Sequence, residues 1–402
     1  MLILGEHDER TIAQLKDVAQ RAVRVALMAD GHLGYVMPIG GVAAYRNQVS
    51  VVGVGFDIAC GNCAIRTNLI ASDFSRDELT AFADEIADTI SFGLGRTNKE
   101  ADAPVDHPLF ASPAWEALPG HIRDDLRERA RAQLGTVGSG NHYVDVFADT
   151  ADDRTWVGIH FGSRALGHGI ASGFMALGQG AKWGDRVPEQ EVLLDLDSEL
   201  GQRYWAAMEL AGQYAYAGRE YVAQKVVEII GGEKVDLVHN NHNFAWEEEH
   251  FGEELVVVRK GATPAFPGQR GFIGGSMGDD AVIIAGYESG PEPGHDPIRE
   301  IQEQAMFSAI HGAGRVMSRT AAKGSRRGGR RRRGAITRQM MHEWTSARGI
   351  VVRGGDVDES PHVYRRLAEV IPEQRGTIVV RHTLRPLIVV MAGAGVVDPY
   401  KD

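Results

Sequence analysis

The segment SAIHGAGRVMSR combines residue types that are suited to phosphate chemistry. His311 is followed by Gly312 and Gly314, and Arg315 and Arg319 lie four residues apart. An imidazole is a workable nucleophile or base near pH 7, glycines let the backbone approach a ligand closely, and guanidinium groups pair with phosphate oxygens. This combination predicts that an anionic group is handled around His311.

A second set of residues has the types that bind divalent metal ions. Asp57 and Cys60 lie three residues apart in DIACGN, a spacing that a turn at a strand end can aim at one point. Three further histidines lie at the ends of strand-like runs beside Asn or Gly: His142 in GTVGSGNHYVDV, His160 in VGIHFGSRALGHG and His239 in DLVHNNHN. Carboxylate, thiolate and imidazole together suit Mn²⁺, Zn²⁺ or Co²⁺. A thiolate can also bridge two ions, and two ions about 3.5–4 Å apart are a standard arrangement for displacement at phosphorus.

Other uses of the two cysteines, Cys60 and Cys63, remain open at this point. They could form half of a zinc ribbon, but the sequence has no second C-x-x-C to complete four thiolates. A thioredoxin-type redox pair is a further alternative, for which Ala59 and Asn62 give no support. A single histidine is also more often a core or surface residue than a ligand, so the prediction depends on the group as a whole.

Composition sets limits on the class of protein. A chain of 402 residues with 43% hydrophobic content can bury a substantial core, in one large domain or two smaller ones. Its formal charge of −11 argues against coating nucleic acid through bulk charge, so phosphate binding must be local. The sequence has no run of about 18 apolar residues, and the start MLILGEHDER becomes charged early. We expect a soluble, cytoplasmic protein without a membrane partner.

The elements that must position these residues are mixed in type. Helical spacing predicts helices over 75–90 and 198–230, the second stopped by Gly231 and Gly232. Strand-like runs are NQVSVVGVG, NHYVDVF, TWVGIHF, EELVVVRK, DDAVIIAG, GIVVRGG, GTIVVRH and LRPLIVVM. Because they do not alternate regularly with helices, the pattern favours an α+β fold with mixed sheets over a doubly wound parallel sheet.

One low-complexity segment, GSRRGGRRRRGA at 324–335, follows the His311 segment. Its glycines predict a flexible loop. Either a solvated loop or a loop that contacts RNA phosphates fits its composition.

An ordered series of motifs resembles the RtcB family of GTP-dependent RNA-splicing ligases. The series includes DGHLGYVMPIGG, DIACGN, GTVGSGNH, HFGSRALGHG, VHNNHN, RKGATPAFPG, GSMG, HGAGRVMSR and TLRPLIVV, and it extends over nearly the whole chain. The resemblance implies one compact α+β domain, 1–402, with mixed sheets flanked by helices. It also implies an enzyme that joins an RNA 3′-phosphate or 2′,3′-cyclic phosphate to a 5′-hydroxyl in tRNA splicing or RNA repair. Two Mn²⁺ ions and GTP are the implied cofactor and co-substrate, and an archease-type activator is a candidate partner.

The resemblance assigns roles to individual residues. Asp57, Cys60 and His142 resemble the ligands of one manganese, and Cys60, His160 and His239 those of the second. His311 resembles the histidine that becomes guanylylated before the RNA end is activated. The implied nucleotide contacts are Asn141, Asp145, Asn240, Ser276, Gly312, Ala313, Gly314 and Tyr364, with Tyr364 near the guanine ring. Arg164, Arg315 and Arg319 resemble RNA-phosphate contacts.

The sequence also departs from the family pattern. The metal-site turn has Ala59 and Asn62 where the family has glycine and methionine, and Asp145 replaces a glutamate. Met391 lies where the family has a lysine, which predicts weaker selection of GTP over ATP and indicates a divergent repair-type branch. Two other classes stay open: a metal-dependent phosphoesterase that hydrolyses cyclic phosphate ends without ligation, and a protein that only binds RNA ends.

Overall fold

The computed structural model describes residues 1–100, 103–290, 296–327 and 330–394, with side chains left out over 325–332. Helices make up about 36% and strands about 30%, which confirms the α+β prediction. The helices are α1 (Glu9–Val18), α2 (Val51–Val54), α3 (Arg76–Thr89), α4 (Gly120–Gln133), α5 (Arg164–Gly178), α6 (Glu199–Ile229), α7 (Pro297–Gln304), α8 (Arg319–Lys323), α9 (Arg338–Ala347) and α10 (Leu367–Glu373).

The strands form two large sheets and three short pairs. In chain order they are β1 (Leu2–Ile3), β2 (Arg24–His32), β3 (Ile39–Tyr45), β4 (Gln48–Ser50), β5 (Gly61–Ile70), β6 (Tyr143–Asp149), β7 (Arg154–Phe161), β8 (Leu193–Asp195), β9 (Lys234–Asn241), β10 (Asn243–His250), β11 (Glu253–Lys260), β12 (Ala262–Pro264), β13 (Arg270–Ile273), β14 (Ala281–Gly286), β15 (Ser308–Ile310), β16 (Gly324–Arg327), β17 (Arg330–Arg333), β18 (Val351–Arg353) and β19 (Ile378–Met391). One sheet has the order β1-β2-β3-β11-β10, and the other has β13-β14-β19-β6-β7-β5-β9 with β18 beside β19. The β1–β2 and β18–β19 pairs are parallel and the other pairs are antiparallel, so both large sheets are mixed.

Both predicted long helices are present. Ser75 caps α3 in a capping box with Glu78, and Ser198 caps α6 by accepting a hydrogen bond from the Gly201 amide. The side chains of α6 that face the second sheet pack in one apolar cluster with residues of β5, β6 and β7. This long helix therefore supports the back of the sheet whose other face carries the candidate site.

Two strand predictions were wrong in their extent. NQVSVVGVG is a strand only over β4, because Ser50 Oγ accepts a hydrogen bond from the Gly53 amide at 2.8 Å and starts α2. GTIVVRH and LRPLIVVM form one strand, β19, rather than two. The strand passes Pro386, which has no amide to donate, at an irregularity in its pairing with β6.

The arginine-rich segment contains the antiparallel pair β16–β17. The predicted contacts of its arginines with RNA phosphates fall mostly on 325–332, whose side chains lie outside the described part of the chain. Its flexibility remains a prediction.

A buried cation connects α6 to the second sheet. Arg219 is fully buried, and its guanidinium donates to the carbonyls of Ala59 and Phe161 at 2.8 and 2.7 Å and to Asn241 Oδ1 at 2.6 Å. Its Nε donates to His239 Nε2 at 2.8 Å. One side chain thus joins the turn before β5 to the ends of β7 and β9.

We predict that Arg219→Met lowers the free energy of unfolding by about 2–4 kcal/mol, because it leaves several buried acceptors without a donor. Urea denaturation followed by circular dichroism measures this change. Arg203→Met is the matched control on the same helix, since Arg203 is partly exposed and donates to one carbonyl. Its expected cost is about 1 kcal/mol or less. Equal losses for the two variants would contradict the anchoring role of Arg219.

Candidate metal and nucleotide site

Cys60 lies between two imidazoles. Its sulfur is 3.7 Å from Nε2 of His142 and 3.7 Å from Nε2 of His160, and all three residues are buried. Their ligand atoms lie within 4.8 Å of one another, which is close enough to hold a metal ion. The structure thus brings together three residues that are distant in sequence, from β5, β6 and β7 or the turns before them.

Asp57 completes this group on the side of His142. Its Oδ2 is 3.1 Å from His142 Nε2. Burial would raise the pKa of Asp57. The hydrogen bond and charge of His142, together with the charge of Arg164, outweigh burial and hold this pKa below its usual value. The Cys60 amide donates to the Asp57 carbonyl at 3.0 Å, and Ala59 within the turn has a φ of 58°. This tight turn places the carboxylate and the thiol at the same point.

The two imidazoles are oriented by hydrogen bonds on their far nitrogens. His142 Nδ1 lies 2.9 Å from the Val137 carbonyl, and His160 Nδ1 lies 2.7 Å from Asn62 Oδ1. A partner on Nδ1 fixes the ring and leaves Nε2 as the coordinating nitrogen. Asn62, a departure from the family pattern, therefore has a positioning role beside the site.

The structure places His239 outside this group, contrary to the sequence prediction. On β9 it pairs with Cys63 of β5, and both side chains face α6. His239 Nε2 accepts from Arg219, and its ring packs on Tyr216 with centroids 3.8 Å apart. Burial, together with the charge of Arg219, lowers the pKa of His239 to about 4. This histidine has a structural role on the opposite face of the sheet.

His242, which the sequence analysis did not select, lies in the cavity instead. Its ring stacks on His160 with centroids 5.2 Å apart and meets the ring of His311 at 5.0 Å. His242 is 2% exposed, and among the described residues its Nδ1 has no hydrogen-bond partner. A buried imidazole nitrogen without a hydrogen-bond partner, next to the rings of His160 and His311, could be satisfied by coordinating a metal ion. The missing signal was the strand register, which pairs His239 with Cys63 and turns it toward α6, whereas His242 follows the end of β9 and lines the cavity.

The two cysteines also face different surroundings. Cys63 lies in the apolar core with residues of α6, where burial raises the pKa of its thiol to about 12. Cys60 lines the cavity. These positions favour Cys60 alone as the candidate ligand.

His311 is held by a carboxylate that the sequence analysis did not assign. Its Nδ1 lies 2.6 Å from Oδ2 of Asp30, a fully buried side chain at the end of β2. The amides of His311 and Gly312 donate to the same oxygen at 3.0 and 3.2 Å. Burial would raise the pKa of Asp30, but the charge and hydrogen bonds of His311 hold it below its usual value. The signal in the sequence was an acidic residue that ends the apolar run VALMAD.

We call Asp57, Cys60, His142 and His160 together the metal-type group. One cavity of about 1110 Å³ contains this group, His311 and most of the predicted nucleotide contacts. Its lining includes Asn141, Asp145, Ser276, Gly312, Ala313, Gly314 and Tyr364. Asn240 is placed differently, because its Oδ1 accepts from the Phe272 amide at 2.9 Å and its role is to hold β13 against β9. Asn243 lines the cavity in its stead and accepts from the Gly261 amide at 2.8 Å.

Asp145 and Met391 lie on one wall of this cavity. Met391 pairs with Tyr143 and Val389 pairs with Asp145 across β19 and β6, so all four side chains share one face. Burial raises the pKa of Asp145 well above its usual range, and among the described residues its Oδ1 has no hydrogen-bond partner. The wall is therefore apolar around a carboxyl group that favours its neutral form.

The three predicted arginines also line the cavity. Arg315 donates to the Tyr364 hydroxyl at 2.8 Å and to the Asp358 carbonyl at 2.8 Å, with its guanidinium over the Tyr364 ring. Arg319 forms an ion pair with Glu359, which also accepts from the Tyr364 hydroxyl. Arg164 has a φ of 55° at the start of α5, and its charge helps to lower the pKa of Asp57. The guanidinium groups of Arg315 and Arg319 are thus held in place by neighbouring side chains.

A comparison with known protein families gives a match for nearly the whole chain. The family described as tRNA-splicing ligase RtcB matches residues 10–392. The chain belongs to the RtcB family. It is 30% identical to the tRNA-splicing ligase RtcB of Thermococcus kodakarensis over 92% of this chain and 88% of that protein. It is also 30% identical to the tRNA-splicing ligase RtcB of Archaeoglobus fulgidus, over 92% and 90% of the two chains. The RNA-splicing ligase RtcB of Escherichia coli K12 is 29% identical over 91% and 89%.

In this RtcB family member, the described part of the chain contains no helix that is both long and apolar enough to cross a membrane. Its location in the cell remains a prediction.

We predict that His242→Ala removes most bound manganese whereas His239→Ala does not, because His242 lines the same cavity as Cys60 and His239 faces Arg219 of α6. Metal analysis of the purified proteins after equilibration with Mn²⁺ measures the difference. Cys60→Ser and Cys63→Ser form a second matched pair with the same expectation, because a hydroxyl replaces a thiolate ligand poorly. Retention of manganese in His242→Ala would contradict this prediction. Retention there together with loss in His239→Ala would support His239 as the ligand.

Proposed function

We propose that the protein is an RNA ligase that joins a 3′-phosphate or 2′,3′-cyclic phosphate end to a 5′-hydroxyl end, using GTP and two Mn²⁺ ions. The carrying observation is the chain of rings His160, His242 and His311, which connects the metal-type group to a carboxylate-held histidine inside one cavity. The names of the relatives, tRNA- and RNA-splicing ligases, support the reaction class.

The donor set fits two transition-metal ions. Asp57, Cys60 and His142 would hold one, and Cys60, His160 and His242 the other, with His242 replacing His239 in the original prediction. The unpartnered Nδ1 of His242 and the sulfur equidistant from two imidazoles support this fit. When bound, such ions neutralise phosphate charge and orient the phosphate for in-line displacement.

His311 would be the nucleophile. Its Nδ1 lies 2.6 Å from Asp30 Oδ2, so a proton held between these two atoms would leave the Nε2 lone pair available for attack. A bond forms between this nitrogen and the α-phosphorus of GTP while the bond to the bridging oxygen breaks, and pyrophosphate leaves. The guanylate then passes from His311 to an oxygen of the RNA 3′-phosphate. The 5′-hydroxyl attacks that activated phosphate, and GMP leaves.

The backbone around His311 leaves room for the nucleotide. A Cβ on Gly312 would meet only the Gly274 carbonyl, at 3.7 Å. Gly314 has a φ of 75°, and a Cβ there would lie 2.6 Å from the Asp30 carbonyl oxygen. A side chain at Gly314 would therefore push the Asp30 strand away from His311.

The arginines would contact RNA phosphates, in keeping with the resemblance. Arg315 and Arg319 are oriented by Glu359 and Tyr364, so little side-chain entropy is lost when a phosphate binds. Arg164 lines the same cavity as Asp57 and acts on its charge, so it would contribute to holding the metal-bound phosphate. Asn141, Ser276, Ala313 and Tyr364 remain proposed nucleotide contacts. A role in tRNA splicing or RNA repair and an archease-type activator also remain proposals.

We predict that His311→Ala keeps most of its manganese, forms no covalent nucleotide adduct and fails to seal 3′-phosphate ends. The reason is that His311 supplies the nucleophile and lies outside the proposed ligand set. Labelled GTP, Mn²⁺ and denaturing electrophoresis detect the adduct. As a control, RNA that already carries the guanylate should still be joined by His311→Ala, and His242→Ala should fail on both substrates.

If His311→Ala loses its manganese or still forms the adduct, the roles proposed here are wrong. An absence of adduct in the wild-type protein would favour the phosphoesterase.

We predict that the wild-type protein discriminates weakly between GTP and ATP and that Met391→Lys increases its preference for GTP. A lysine next to Asp145 would favour the ionised carboxylate, which accepts hydrogen bonds from the N1–H and N2–H groups of guanine, whereas adenine lacks that pair of donors. Adduct yields with labelled GTP and ATP give the ratio, and Met391→Leu is the uncharged control. A strong GTP preference already present in the wild type would contradict this account of the wall.

A further inference from the structure

The mouth of the cavity carries an exposed aromatic side chain. Tyr35 lies in the turn between β2 and β3, lines the cavity and is 45% exposed. The exposed side chains of Leu33, Leu94 and Val316 line the same cavity. Large apolar groups left in water next to a binding cavity indicate a surface that a ligand covers.

The backbone that carries Tyr35 is firmly held. Gln14 of α1 donates to the carbonyls of Gly34 and Tyr35 at 3.0 and 2.6 Å, and its Oε1 accepts from the Gly34 amide at 3.1 Å. The turn is also tight, because a Cβ on Gly34 would lie 2.3 Å from the Met37 carbonyl oxygen. Three hydrogen bonds from one side chain thus fix the backbone from which the exposed ring projects.

Charge at the same mouth favours a nucleic acid as the occupant. Five arginines line the cavity: Arg10, Arg129, Arg164, Arg315 and Arg319. The guanidinium groups of Arg10 and Arg129 are largely exposed, and each lies beside one aspartate, Asp8 or Asp125. The chain as a whole has a formal charge of −11, so arginines gathered at one cavity are a local feature rather than a general one. The cavity, at about 1110 Å³, is also larger than the roughly 300–1,000 Å³ typical of a small-molecule pocket. It has room for a nucleotide and for the end of a second chain.

We propose that Tyr35 stacks on an unpaired nucleobase of the RNA end, so that the mouth of the cavity selects single-stranded RNA ends. This inference rests on the proposed function. In a duplex end the bases stay paired and stacked, so only the outer face of the terminal pair is open and no single base can turn out onto Tyr35. Single-stranded RNA is commonly bound by stacking of splayed bases on aromatic rings, with arginines along the backbone.

The test measures binding of a short single-stranded RNA with a 3′-phosphate by fluorescence anisotropy. Tyr35→Ala should weaken binding roughly five- to hundredfold, and Tyr35→Phe should stay within about twofold of wild type, because the ring stacks without its hydroxyl. Phe251→Ala is the matched control. Phe251 lies in the β10–β11 turn, is 47% exposed and has an arginine, Arg24, over its ring. Its removal should leave RNA affinity unchanged.

A second RNA, abasic at its terminal nucleotides, separates stacking from a structural effect. Wild type should bind it as weakly as Tyr35→Ala binds normal RNA, and Tyr35→Ala should show little further loss. Equal affinity of wild type and Tyr35→Ala for normal RNA, or an undiminished effect on abasic RNA, would overturn the proposal. A difference in sedimentation between wild type and Tyr35→Ala in the absence of RNA would also overturn it, since that would show that the ring contacts a second copy of the protein.

Covalent labelling of the wild type by GTP in the same preparations reports on the proposed function separately. Labelling without an effect of Tyr35 on RNA binding refutes only the stacking inference. Absence of both labelling and RNA binding refutes the proposed function itself.

Discussion

The Cys60 sulfur, 3.7 Å from the Nε2 atoms of both His142 and His160, is the point around which the site is arranged. Its position depends on a turn that uses a left-handed residue, Ala59, and on a buried guanidinium that holds the carbonyl of that residue. The same guanidinium, of Arg219, joins the ends of β7 and β9, next to the candidate ligands His160 and His242. Displacing this one side chain would disturb the thiolate and the strand ends together. The geometry of the site is thus tied to the stability of the core.

A row of imidazoles then extends from the metal-type group to His311, the proposed nucleophile. His160, His242 and His311 meet ring to ring at 5.2 and 5.0 Å. Burial, with the charges of neighbouring groups, lowers the pKa values of His160 and His242 well below their usual range, so both are neutral and able to coordinate. Asp30 closes the row at the other end and directs the His311 ring. In the proposed function, this arrangement would let a nucleotide on His311 and a metal-bound phosphate share one cavity.

Much of this site could be predicted from the sequence because types and spacing are local signals. Asp57 and Cys60 share one turn, and the glycines around His311 mark a close backbone approach, so both features are visible without a fold. His239 and His242 lie in the same short motif, and only the register of β9 against β5 decides which of them faces the cavity. Asn240 is on the other face of β9 from His239, beside Asn62, and its oxygen is occupied by the Phe272 amide, a partner that no local pattern contains. Asp30 contacts a residue 281 positions away, a relation that no local pattern contains.

The fold shows the same division between local and non-local information. Helical spacing, with Gly231 and Gly232 as the stop of the second helix, predicted α3 and α6 closely. The merging of two apolar runs into β19 depends on partners in β6 and β14, which are far apart in sequence. Ser50 ended a strand-like run early by capping α2, a local event that the apolar pattern concealed.

Anomalous X-ray scattering at the manganese edge, from crystals equilibrated with Mn²⁺, tests the central claim most directly. The account predicts two peaks about 3.5–4 Å apart, both within bonding distance of Cys60 Sγ, one beside Asp57 and His142 and the other beside His160 and His242. A peak bonded to His239, or a single ion that does not contact Cys60, would contradict it.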